Sequence, residues 1–144
     1  MEKGIDYIGV SVGAMIFNNK NQLFLTKRGK KCKNERGHWE APGGGVKFGE
    51  RLIDAIKRGM KEEYGVEIDI IEQFPAADHT IPNERQHWVP TTFLAKLKSG
   101  NKPKIMEPEK CEEIGWFSLN NLPSPLSIIT KIDIKYYKNR NVLK

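Results

Sequence analysis

A mixed α/β domain, with helices packed on a mixed sheet, is the fold class this sequence predicts. Three observations carry that expectation. Short apolar runs bounded by turn residues recur along the chain. After Gly49 the apolar residues switch to a helical period, and the resulting order is strands, helix, strands, helix.

Taken in order, Tyr7 to Phe17 reads as a largely buried strand, with Ile8, Val10, Val12, Met15 and Ile16 among small residues. Asn18 to Asn21 is turn chemistry, and Leu23 to Thr26 returns as a second strand, which predicts a hairpin. Lys30 to Gly37 is a polar loop. His38 to Glu40 is a short extended piece stopped by Pro42. The run Gly43-Gly44-Gly45 is expected to be irregular, because glycine permits positive φ and a close approach of backbone to a ligand. Leu52, Ala55, Ile56, Met60 and Tyr64 then recur at helical spacing, predicting a helix over Glu50 to Tyr64 with Gly65 as its stop. Val66 to Ala76 and Val89 to Leu97 read as strands, with Pro75, Pro82 and Pro90 limiting their length or marking edges. A polar loop over Lys98 to Glu112, a short strand over Glu113 to Phe117 and a helix over Leu126 to Tyr137 complete the chain. The segment from Lys135 to Lys144 is expected to be a solvated helix end and a disordered terminus.

At 144 residues the chain suits one domain with one core, spanning 1–144. With 38% hydrophobic and 29% charged residues, the composition is globular rather than disordered. No apolar run approaches the ~20 residues that span a bilayer, and Met1-Glu2-Lys3-Gly4 lacks the pattern of a cleavable signal. A cytoplasmic protein with no membrane partner is the expectation. Cys32 and Cys111 lie far apart and read as free thiols. The net charge of +6 favours polyanionic partners, but the lysines are scattered, so no specific nucleic-acid partner is expected. His38, His79 and His87 show no ligand spacing.

The informative stretch is Gly43 to Val66, a glycine turn feeding a helix whose last turn holds Glu62 and Glu63. Adjacent acids at a helix C-terminus face the negative end of the dipole, which costs about 0.3–1 kcal/mol each. A divalent cation would reverse that cost, since hard cations take carboxylate oxygens. On local physics a solvated acidic turn, with Arg58 and Lys61 as partners, accounts for the same residues.

Spacing goes further. Gly44, five residues, Glu50, seven residues, Arg58, then Met60, Glu62, Glu63, Gly65 and Val66 resemble the signature of the Nudix hydrolase family. The flanking Trp39 to Gly44 and Phe48-Gly49-Glu50 resemble the family as well. Glu107-Pro108-Glu109-Lys110-Cys111-Glu112, Trp116-Phe117, Leu122-Pro123 and His87-Trp88-Val89 are similar to its MutT-like nucleoside triphosphate pyrophosphatases.

This resemblance implies a Nudix-type α/β/α sandwich with a mixed sheet, and a metal-dependent pyrophosphohydrolase. The reaction expected is cleavage of a nucleoside triphosphate, noncanonical or oxidised, to monophosphate and pyrophosphate. It implies Mg²⁺ or Mn²⁺ held by Gly43 or Gly44 carbonyls and the Glu62 and Glu63 carboxylates, with Glu112 as a further metal ligand. Glu50, Arg58, Glu62 and Glu63 are the implied catalytic set, Glu50, Arg58 and Glu62 forming an ionic network that fixes the loop on the helix. Arg28 or Lys27 would donate to phosphate oxygens. Gly45 would lie against substrate. Trp39 reads as a core wedge, and Trp88 as either a base-stacking platform or a packed aromatic. Related proteins are often dimers, so a homodimer is expected by analogy.

Two positions depart from the family. Its Arg-Glu pair stands here as Arg58-Gly59, and Lys47 sits where relatives often carry an acid. The missing glutamate supplies a metal ligand or the general base in MutT-like members. Glycine does neither, and costs ~1 kcal/mol relative to alanine within a helix. The base then comes from Glu112, Glu113, Glu84 or His79, or the protein binds nucleotide and hydrolyses it slowly or not at all. An engineered or accidental change at Gly59 is the remaining explanation. Pro82 stands at the distance where ADP-ribose-cleaving members often carry proline, which keeps ADP-ribose or a nucleotide sugar as the alternative substrate.

Overall fold

The computed structural model describes residues 1–32 and 34–140. The last part of the expected tail, 141–144, lies outside the described residues.

Among the described residues, four strands, an α-helix, four more strands and a second α-helix follow one another along the chain. The strands are β1 (Gly9–Ile16), β2 (Leu23–Arg28), β3 (Trp39–Glu40), β4 (Gly43–Gly45), β5 (Ile68–Gln73), β6 (His79–Ile81), β7 (Gln86–Leu97) and β8 (Cys111–Phe117). The helices are α1 (Leu52–Tyr64) between β4 and β5, and α2 (Ile128–Asn139) after β8. The main sheet runs β4-β1-β7-β5, with β6 also paired to β7. The pairing of β1 with β7 is parallel and the remaining pairings are antiparallel, so the sheet is mixed. A second, antiparallel sheet has the order β3-β2-β8.

Alternation along the strands feeds two cores. Ala14 and Ile16 of β1 and Phe93 and Ala95 of β7 join Ala55, Ile56, Met60 and Tyr64 of α1. Met15 and Leu94, one residue out of step, join Leu23, Leu25, Trp39, Phe74 and Ile134 of α2 on the other side. Each buried aliphatic or aromatic side chain contributes roughly 1.5–3 kcal/mol. The layers are those of an α/β/α sandwich. Trp39 is a core residue, edge-on to Phe117 at 5.1 Å.

Three local features differ from the sequence expectation. The chain does reverse at Asn18–Asn21, yet β1 and β2 part into different sheets, linked by a single bridge between Phe17 and Leu23. The triglycine run is a strand: Gly43, Gly44 and Gly45 pair antiparallel with Gly13, Val12 and Ser11. A Cβ at Gly43 would overlap the Val12 carbonyl oxygen, so only a bare backbone fits there. Strand β7 begins earlier than expected and runs straight through Pro90. Opposite β1, that strand is paired by β6 up to Trp88 and by β5 from Phe93 onward, so the missing N–H of Pro90 falls between two partners.

Helix α1 ends on Gly65, which adopts φ 67° and donates its N–H to the Lys61 carbonyl at 3.0 Å. Among the described residues no helix is long and apolar enough to cross a membrane.

The contact at Gly43 makes a sharp test. Gly43→Ala should lower stability by about 1–3 kcal/mol, as overpacking does. Gly44→Ala, with open space around it, should stay within about 0.5 kcal/mol of wild type. Chemical denaturation of the two variants compares them directly; equal stabilities would contradict the β1–β4 packing.

Candidate active site

Strand β4, the inner end of β2, the last turn of α1, the loop before β8 and the inner face of α2 enclose a cleft of about 370 Å³. Its positions follow from strand alternation. Thr26 and Arg28 of β2 face the cleft and Lys27 faces away. A register shift between Lys27 and Arg28 sets Glu113 opposite Lys27 and Cys111 opposite Arg28, leaving Glu112 as the extra residue of a bulge. Lys27 and Glu112 pair with each other at 3.8 Å, and neither lines the cleft.

Beside the cleft, Arg58 gathers three segments. Its Nε and Nη2 donate to both carboxylate oxygens of Glu50, at 2.6 and 2.9 Å. Its Nη2 also reaches the Gly45 carbonyl and its Nη1 reaches Glu62, both at 3.2 Å. Hydrogen bonds from Arg58 and from the Lys47 backbone hold the Glu50 carboxyl at about 2. Glu50 in turn holds the guanidinium above its usual range.

Adjacent helix residues diverge by about 100°, and the acidic pair is divided accordingly. Glu62 is tied to Arg58 and its side chain is 53% exposed. Glu63 turns into the cleft, where burial and then the repulsion of Glu107 push its carboxyl up to about 7, with Lys110 opposing. Glu107 carries a buried Oε1 with no hydrogen-bond partner, 3.5 Å from Lys110 Nζ. Arg28 lines the cleft with its Nη1 on Glu40 at 2.7 Å and its Nε on the Asn34 carbonyl at 2.8 Å. Burial raises the Glu40 carboxyl against the pull of Arg28.

Trp88 also borders the cleft, packed so closely over Gly4 and Gly9 that a Cβ at either glycine would collide with its ring. Its Nε1 donates to Gln86 Oε1 at 2.8 Å. Of the proposed bases, His79 lines the cleft, while Glu84, Glu112 and Glu113 do not. His79 lies 3.9 Å from Glu35, and burial lowers its pKa. Pro82 is exposed, opening a 3-10 turn outside the cleft.

Sequence reasoning missed Glu40, Glu107, Lys3 and Asp133, all in the cleft wall. Lys3 binds the Val46 carbonyl at 2.6 Å beside the glycine strand, and nothing near it in sequence signals that. Glu107 lay within the motif that suggested MutT-like proteins, so its type and place were available. Among the described residues no three His, Cys, Asp or Glu side chains form a ready-made metal cage.

A family model for the NUDIX domain matches residues 8–139, and the chain belongs to the NUDIX family. Its MutT-like character shows in the crystal structure of a MutT NUDIX hydrolase from Burkholderia pseudomallei. That protein is 32% identical and superposes with a TM-score of 0.82, over 90% of this chain and 98% of that one. The 8-oxo-dGDP phosphatase NUDT18 of Danio rerio is 27% identical over 146 residues, 96% of this chain and 41% of that protein. An 8-oxo-dGTP diphosphatase from Buchnera aphidicola is 33% identical over 89 residues, 62% of this chain and 66% of that protein. The chain spans about two fifths of the length of the NUDT18 relative.

The Glu63 environment has a pH signature. Its carboxyl, near ~4.3 in an unfolded chain, is raised to about 7 in the fold. The stability it contributes is therefore complete below pH ~4 and lost as pH climbs through 7. With a chelator present, Glu63→Gln should stabilise the chain at pH 8 by up to roughly 3 kcal/mol, and the gain should shrink toward pH 4.5. Urea melts across that range measure it; a variant less stable than wild type at pH 8 would contradict the account.

Proposed function

We propose that this protein is a metal-dependent pyrophosphohydrolase. It cleaves a nucleoside triphosphate, noncanonical or oxidised, to nucleoside monophosphate and pyrophosphate, within one catalytic domain. The observation that carries the reading is that Glu63 and Glu107 repel each other within the cleft that the bare glycine strand also lines. The relatives named for 8-oxo-dGDP and 8-oxo-dGTP support a nucleotide diphosphate linkage as the target.

The residues present fit a divalent cation. Two carboxylates that repel each other, one with a buried oxygen that accepts no hydrogen bond and meets only Lys110 at 3.5 Å, lose that penalty when a cation lies between them. A full protein cage is not required, because Mg²⁺ usually takes one or two carboxylates and completes its sphere with water and substrate phosphate. Glu63, Glu107 and a Gly43 or Gly44 carbonyl would hold Mg²⁺ or Mn²⁺, with Glu62 contributing through its remaining oxygen. Glu112, paired to Lys27 outside the cleft, is not assigned a cation. When bound, the cation supplies Lewis acidity toward the phosphate oxygens.

The protein's own part is positioning. Arg58 fixes the β4 edge to α1 through Gly45, Glu50 and Glu62. Lys3 and Arg28 set positive charge along the phosphate path. Water adds to phosphorus, the bridging P–O bond breaks, and the bridging oxygen leaves with pyrophosphate. His79, which lines the cleft and whose pKa burial lowers, would accept the water's proton. Position 59 offers no carboxylate for that task, so turnover is slow.

Space for the missing group exists: nothing lies within 4 Å of a Cβ at Gly59. Pyrophosphate release should be measured with Mg²⁺ and Mn²⁺ on a panel of canonical and oxidised nucleotides, ADP-ribose and nucleotide sugars. Wild type should turn over slowly and Gly59→Glu about 10²–10⁴-fold faster, both silenced by EDTA. Faster cleavage of ADP-ribose than of any triphosphate would move the protein to that substrate class. Metal-dependent nucleotide binding without turnover in either protein would make it a binding module.

A further inference from the structure

Two chain segments meet on the wall of the cleft, and each carries a cysteine that the hydrolase reading leaves unused. Cys32 lies on the loop between β2 and β3, and Cys111 opens β8. Both line the cleft. Cys111 is 7% exposed, whereas Cys32 is only partly covered.

The backbone brings the two together. The Gly29 N–H donates to the Lys110 carbonyl at 2.8 Å, and the Lys31 N–H reaches the Glu109 carbonyl at 3.3 Å. A Cβ at Gly29 would fall 3.2 Å from the Cys111 nitrogen, so the loop lies directly on the peptide that precedes Cys111. The Cys32 N–H then turns back to the Gly29 carbonyl at 3.3 Å. That turn sets the Cys32 thiol on the Lys110 carbonyl oxygen, to which it donates at 3.2 Å. Standard peptide dimensions put a carbonyl oxygen about 2.8 Å from the next Cα, so the Cys32 sulfur lies within about 6 Å of the Cys111 Cα. Bridged cysteines hold their Cα atoms about 4.4–6.8 Å apart. Side-chain rotation, with a small movement of the loop between Gly29 and Gly37, closes the remaining gap.

The setting of the two sulfurs divides their roles. Cys32 interacts electrostatically with the Arg28 guanidinium, and Lys31 precedes it in the chain. A partly exposed sulfur in an electropositive setting is the one an oxidant reaches. Cys111 lies inside, with its thiol on the Glu113 carbonyl at 3.2 Å. It is placed to resolve an oxidised Cys32 rather than to meet the oxidant first.

We propose that Cys32 and Cys111 are a peroxide-sensitive pair, forming a reversible disulfide across the cleft wall that slows turnover. The Cys32 thiolate attacks one oxygen of hydrogen peroxide. The O–O bond breaks, hydroxide leaves and takes up a proton as water, and Cys32 becomes a sulfenic acid. The Cys111 sulfur, giving up its proton, attacks the Cys32 sulfur, and the S–O bond breaks to release a second water. Two thiols thus lose two electrons and two protons, and one peroxide becomes two waters. A small dithiol reverses the bridge by exchange.

The loop that moves is the one that anchors Arg28. The Cys32 carbonyl accepts from Arg36 Nε at 2.7 Å, and the Asn34 carbonyl accepts from Arg28 Nε at 2.8 Å. Drawing Cys32 toward Cys111 disturbs both, and with them the positive charge on the phosphate path. This effect on turnover rests on the hydrolase reading above; the disulfide itself does not.

Reduced protein is exposed to hydrogen peroxide, alkylated and digested for mass analysis. Wild type should lose both free thiols and yield one peptide pair joined through Cys32 and Cys111, lighter by two hydrogen atoms. Closing so long a loop should raise Tm by roughly 5–15 °C, and dithiothreitol should restore thiols and Tm together. Pyrophosphate release with Mg²⁺ should fall about tenfold on oxidation, as expected for one lost charge-assisted phosphate contact, and recover with dithiothreitol. Cys32→Ser should keep its reduced rate under the same exposure, and it decides alone if Cys111→Ser fails to fold. Cys32 driven to sulfinic acid, bridges between two chains, thiols left intact, or a mapped disulfide that leaves the rate unchanged would overturn the proposal. Absence of turnover in the reduced protein is instead a failure of the hydrolase reading, and thiol mapping with the melts still judges the pair.

Discussion

The fork of Arg58 is the contact on which the site depends. A planar guanidinium with donors on several sides can join a carboxylate bidentately and still reach a carbonyl and a second carboxylate. Here those partners are Glu50 at the end of the glycine loop, Gly45 on strand β4 and Glu62 on helix α1. One side chain thereby fixes the edge of a sheet against the end of a helix. With Glu62 turned to that duty, Glu63 is left facing inward.

Around that clamp, the sandwich places chemistry at the meeting of its layers. Neighbouring residues of β2 serve opposite surfaces, so Arg28 enters the cleft while Lys27 is spent on Glu112. The change of partner along β7 at Pro90 lies in the same region, and Thr92 follows two residues later. Helix α2 closes the far wall with Asp133, and its N-terminal cap Ser127 bonds Thr130, which in turn accepts from the Ala41 backbone beside the glycine strand. Both helices therefore contribute a carboxyl to one cavity from opposite ends.

Much of this was legible in the sequence because it is local. Helical spacing from Leu52 to Tyr64, the stop at Gly65 and the gap pattern from Gly44 to Glu63 each lie within one short stretch. What escaped is tertiary. The turn at Asn18–Asn21 announces a reversal but cannot say that its two strands join different sheets. Triglycine reads as irregular because glycine permits almost any φ, whereas here its use is the absence of a Cβ against the Val12 carbonyl. Glu40, Glu107 and Asp133 are ordinary acids in isolation; only folding sets them around one space. The bulge that turns Glu112 away from the cleft is likewise a property of the ladder between β2 and β8, invisible in either strand alone.

The parallel pairing of β1 with β7 joins Gly9 to Trp88 and Ile16 to Ala95, partners about eighty residues apart. Contacts that distant make a chain of high contact order, which folds slowly because a large loop must close before any reward arrives. During synthesis the first strand and its antiparallel neighbour β4 emerge long before the parallel neighbour β7 exists, and the edge that β7 will cover waits unpaired. A chain stalled before residue 86 would own the whole glycine and glutamate signature and still lack the β7 strand beneath it. An unpaired edge and exposed apolar surface of this kind make the incomplete chain prone to aggregate during that interval.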